Sequence, residues 1–146
     1  MEIRTITPAY AVSPQITPED VPALAEAGYK VIICNRPDSE VGPDENAAAV
    51  RAAAEAAGLA FHDNPVVNGA LTEDNVTTQG KVLSEAGGPV FAYCRSGTRC
   101  TIVWALSQAE HASPDDLIET AGRAGYDIAG LRPQLEMMGK RGITRT

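Results

Sequence analysis

Three helix-ending glycines, Gly28, Gly58 and Gly87, stand about 30 residues apart, and a short apolar stretch follows each. That interval is the length of one strand–helix unit. The stretches are residues 29–34 (YKVIIC), 59–62 and 89–93 (PVFAY), rich in β-branched and aromatic side chains, which predicts buried strands. Helical signals precede them. Thr17 is an N-cap with Pro18 at the first helical position and acids behind it; residues 43–57 are alanine-rich; Thr72 caps residues 72–86. Residues 2–6 and 10–12 read as two further short strands. Strands alternating with helices predict one α/β domain over residues 1–146, with a mainly parallel central sheet and helices on both faces. Residues 100–112, a stretch from Ser113 to about Ala124, and residues 131–138 read as the closing helices, with 140–146 a frayed basic tail. Met137 and Met138 read as core or groove filling.

In such sheets ligands sit beyond the carboxyl ends of the strands. The stretch after Tyr93 reads CRSGTRC, so a thiol closes a buried strand and a small polar loop leads into a helix. A helix start offers free N–H groups and partial positive charge, which together bind anions and stabilise a thiolate. Cys94 is therefore the candidate nucleophile and Arg99 the candidate anion clamp. Arg95, Ser96, Gly97, Thr98 and Cys100 complete the anion-binding loop, where Gly97 lets the backbone turn close to a ligand. Asn35, Arg36 and Asp63 also fall at strand ends and are candidates for the same crevice. Cys34 reads as a buried strand residue.

A net charge of −7 argues against a nucleic-acid or membrane-surface partner. The first residues lack the apolar core of a secretory signal, and three cysteines make no disulfide framework, so a cytoplasmic location is expected. His62 and His111 lie far apart with no cysteine at ligand spacing, which places no metal site here.

The segments SPQITPEDVPALAEAGYKVIICNRPD, PVFAYCRSGTRC and AGYDIAGLRPQLE resemble the phosphatase-like domain family called beta-lactamase-hydrolase-like. The resemblance covers nearly the whole chain. It implies the fold of cysteine-dependent dual-specificity phosphatases. It also implies a partner of the persulfide-dioxygenase type, a metallohydrolase to which members occur fused. The loop itself is similar to that of rhodaneses. The two likenesses imply different chemistry. Phosphatase loops of this class hold five residues between cysteine and arginine; here there are four. Residues 66–72 contain no acid, leaving Asp63 or Asp74 to protonate a leaving oxygen. Tyr93 stands where phosphatases commonly have histidine, and Cys100 where related loops have a hydroxyl. These departures put sulfur transfer first: a Cys94 persulfide, formed from a small anionic sulfur donor such as thiosulfate or a persulfide and passed to a thiol acceptor, without cofactor. The alternatives are a phosphatase working through a phosphocysteine, and an anion-binding or redox-sensing module using Cys94 and Cys100.

Overall fold

The structure is a computed structural model that describes residues 1–144, with side chains described through Lys140. The strands are β1 (Arg4–Thr7), β2 (Tyr10–Ser13), β3 (Val31–Cys34), β4 (Ala60–Asp63) and β5 (Val90–Tyr93). They form one sheet in the order β1-β2-β5-β3-β4, parallel except for the antiparallel hairpin of β1 with β2. The central position falls to β5. It has a neighbour on each side and is buried along its whole length.

Successive residues of a strand point to opposite faces, and here each face has its own core. Val90, Ala92 and Cys94 join Tyr10, Val12, Val31 and Ile33 on one face. Phe91 and Tyr93 join Ala11, Ile32 and Cys34 on the other. Helices α3 (Glu73–Glu85), α4 (Thr98–Ser107), α5 (Pro114–Arg123) and α6 (Arg132–Thr144) cover the first face, while α1 (Val21–Glu26) and α2 (Ala47–Ala56) cover the second. Trp104 of α4 stacks on Tyr10 with ring centroids 6.2 Å apart, tying that helix to β2.

Local chemistry sets the element ends. The stretch expected to be helical over 43–57 breaks at Asn46, whose extended backbone and side-chain oxygen cap α2 through the Ala49 N–H. Residues 43–45 form a separate 3₁₀ turn, as do residues 18–20 ahead of α1. Thr72 and Asn75 form a capping box at the start of α3. α4 begins two residues before Cys100 and stops at Ser107 rather than running to 112. The closing helix continues through residues expected to fray, as far as Thr144; the last two residues of that expected tail, Arg145 and Thr146, lie outside the described residues. No helix among the described residues is long and apolar enough to cross a membrane.

Candidate active site

Cys94 stands one residue past β5, at the middle of the sheet's carboxyl edge. Its N–H donates to the carbonyl of Ser13 at the end of β2. The loop from there to α4 is held on both flanks. Tyr126 donates its hydroxyl to the carbonyl of Ser96 at 3.0 Å, and Thr101 returns its N–H and hydroxyl to the carbonyl of Gly97. Gly97 has φ +90°, and a Cβ there would collide with the Tyr126 hydroxyl. Glycine is required on both counts, conformation and space.

The loop turns its donors onto the sulfur. The Gly97 N–H reaches Cys94 Sγ at 3.1 Å, and those of Ser96 and Cys100 also point at it. The Cys100 thiol donates to the sulfur as well and does most to bring the Cys94 pKa down to about 5, against the burial that opposes it. Burial pushes Cys100 itself well up, so it stays a protonated donor. Cys34, on the other face, is pushed up to about 11 by burial. One of the three cysteines is therefore a thiolate at neutral pH.

Arg99 is nearly buried, with 7% of its surface exposed. Nη1 and Nη2 donate to the two carboxylate oxygens of Glu40 at 2.8 and 2.6 Å, and Nη1 also donates to the Val66 carbonyl at 2.7 Å. This pairing holds the Glu40 carboxyl below the usual range and raises the guanidinium. It closes the end-on edge of the fork. Nε–H and the outer Nη2–H share the other edge, and no partner among the described residues takes them. The Cys94 thiolate acts on Arg99 electrostatically, so the candidate anion clamp and the candidate nucleophile share one site.

The remaining candidates separate. Arg36 joins the clamp: its Nε donates to Glu40 at 3.2 Å, and its Nη1 donates to Gln15. Asn35 is fully buried behind the crevice. It bonds Gln79 and Asn64, while its carbonyl takes the N–H of Val66, which fixes the carbonyl that Arg99 uses. Asp63 is not brought to Cys94. It pairs in register with Cys34, on the α2 face, where its charged neighbours are Asp38 and Arg51. Ser96 and Thr98 bond each other on the outer rim of the loop, and Arg95 is exposed. Sequence reasoning missed Glu40, which lies in a 3₁₀ turn after β3. Its one signal is a spacing of four residues from Arg36. Tyr126 and the Val66 carbonyl carried none. Among the described residues no group of histidine, cysteine and carboxylate side chains could hold a metal ion.

Comparison with known proteins places this geometry. A family model, the phosphatase-like domain of the beta-lactamase hydrolase-like protein, matches residues 2–111. The beta-lactamase hydrolase-like protein of Xylella fastidiosa is 33% identical over 130 residues, 88% of this chain and 30% of the relative. That of Agrobacterium fabrum is 32% identical over 119 residues, 80% of this chain and 28% of the relative. The chain thus spans about 30% of the length of these curated relatives. A candidate phosphatase from Neisseria meningitidis has 35% identity and a TM-score of 0.80, over 94% of this chain and 99% of that one. PTPMT1 shares the fold at 16% identity, with a TM-score of 0.78 over 99% and 98% of the two chains. With its central cysteine loop in a cysteine-phosphatase fold, the chain belongs to the beta-lactamase hydrolase-like family, as its phosphatase-like domain.

Proposed function

We propose that this domain hydrolyses phosphomonoesters through a phosphocysteine. The observation that carries the reading is the division of Arg99: Glu40 fills one edge of the guanidinium and leaves the other open, and the Cys94 thiolate in its ring of N–H groups is close enough to act on it electrostatically. A phosphoryl group offers several oxygens to such a cradle, and its charge is stabilised there as the bond to sulfur forms. Cys94 Sγ attacks phosphorus, the bond to the leaving oxygen breaks, and water later releases phosphate and restores the thiolate. The phosphatase name of the Neisseria meningitidis relative favours the same chemistry. The sequence alone put sulfur transfer first, and it remains the second reading on one observation: only four residues separate Cys94 from Arg99. A persulfide-dioxygenase-type domain would then be the partner. Steady release of phosphate from an aryl phosphate, abolished by Cys94→Ser in a folded protein, supports the phosphatase reading. Sulfur delivery from thiosulfate to a thiol with no phosphate release would replace it with the second.

A further inference from the structure

Among the described residues Glu40 is the one carboxylate hydrogen-bonded to a residue of the loop, through Arg99. Glu40 gives both oxygens to Arg99 and is held in its charged form, so it carries no proton to transfer. Asp38 accepts the Ala47 N–H at 2.8 Å at the start of α2. Asp63 pairs in register with Cys34, which pairs in turn with Tyr93, so all three lie on the face of the sheet turned away from the Cys94 side chain. The segment between β4 and α3 lies beside Arg99 through the Val66 carbonyl, and residues 64–72 (NPVVNGALT) contain no titratable side chain. Glu73 lines a groove between α3 and α4 with Lys81 and His111. Asp74 is exposed in the first turn of α3. Tyr126 has its proton on the Ser96 carbonyl.

Resting on the phosphatase reading above, we propose that the substrate is a phosphate whose leaving group departs as its own anion: an aryl or acyl phosphate, not an alkyl phosphate. In the first step the Sγ–P bond forms and the P–O bond breaks. The electron pair leaves on a phenolate or carboxylate oxygen, with no proton transferred. In the second step water attacks phosphorus, the S–P pair returns to sulfur and the water's proton goes to solvent. General acid catalysis supplies typically about 10²–10⁴-fold. A site without it discriminates against leaving groups that need a proton, and the clamp and thiolate serve substrates that do not.

The test is kcat/KM, which reports the first step, for a series of aryl phosphates of graded leaving-group pKa and for an alkyl phosphate. The expected result is a fall of roughly five- to tenfold per unit of leaving-group pKa. The rate should show no basic limb between about pH 7 and 9, because no catalytic acid is there to lose its proton. Asp63→Asn and Asp74→Asn should leave the slope and the profile unchanged. Acetyl phosphate and a phosphotyrosine peptide, run beside a phosphoserine peptide, tell an acyl source from an aryl one. A slope of about twofold per unit or less with a bell-shaped profile, or a slope that steepens in Asp63→Asn or Asp74→Asn, overturns the proposal and leaves the phosphatase reading standing. Failure of that reading looks different: no phosphate is released even from dinitrophenyl phosphate.

Discussion

Cys94 and Cys100 show how one contact divides two thiols. The donor role of Cys100 is the largest influence that lowers Cys94, and burial keeps Cys100 protonated. Alkylation of Cys94 followed against pH should therefore reach half its limiting rate near pH 5, while Cys34, pushed up to about 11, stays unreactive at neutrality. In Cys100→Ala that midpoint should rise by about a unit or more, and in Cys100→Ser it should stay low, because the hydroxyl still donates. Equal midpoints in all three proteins would show that the backbone N–H groups suffice. Gly97→Ala is the second test at this scale. Its φ of +90° and the nearby Tyr126 hydroxyl make any side chain there displace the loop. We expect roughly 1–3 kcal/mol of destabilisation, read by thermal melting, together with a higher Cys94 pKa. A variant with the parent's melting point and alkylation profile would refute this view of the turn.

The loop and the clamp come from different elements, and that decides what a reader of the sequence can see. The candidate nucleophile loop is local. Strand, turn and helix start fall within one stretch, so Cys94, Gly97 and Arg99 stand out by residue type and spacing alone. Glu40 reaches Arg99 across 59 residues of sequence and sits in a short turn among other acids, so no periodicity marks it. The reach of α2 was misjudged for a similar reason: alanine propensity extends it backward, but the Asn46 cap and the Asp38 bond to the Ala47 N–H stop it. The clamp makes a pH prediction. Because Glu40 has a lowered pKa in the fold, its pairing contributes stability that is fully present above the ordinary carboxylate pKa of about 4.3 and is lost as pH falls through its lower folded value. Glu40→Gln should melt lower than the parent at pH 7, by roughly 1–3 kcal/mol, and the gap should narrow below about pH 4. A gap that is constant with pH would mean that the carboxylate's charge contributes nothing. Arg99→Lys keeps charge but loses the fork, and should reduce kcat/KM by about 10²–10³-fold while Cys94 alkylation changes far less.

At the scale of the molecule, a buried polar chain joins the sheet to the site. Gln79 of α3 bonds Asn35 and Asn64 beyond the ends of β3 and β4, and donates to the Tyr10 hydroxyl at 3.0 Å. Tyr10 in turn donates to the Cys100 carbonyl at 2.8 Å, in the first turn of α4. Gln79→Leu would orphan buried partners at a cost of roughly 2–4 kcal/mol. The melting temperature should fall by about 5–12 °C; a fall below about 2 °C would show that the network is replaceable. The strand–helix alternation and the central apolar strand were legible because periodicity and glycine stops are local signals. The sheet order, the network and the position of Asp63 on the far face depend on pairing between distant segments, which one sequence does not display. The choice between phosphoryl and sulfur chemistry belongs to this scale too, because loop length pointed one way while the clamp geometry and the relatives point the other. One measurement addresses it directly: rapid-quench mass spectrometry of the intact protein, mixed in parallel with an activated aryl phosphate and with thiosulfate. The account predicts a mass gain of one phosphoryl group, formed within the first turnover and absent in Cys94→Ser. A sulfur adduct on Cys94 from thiosulfate, with no phosphoryl adduct from the aryl phosphate, would contradict it.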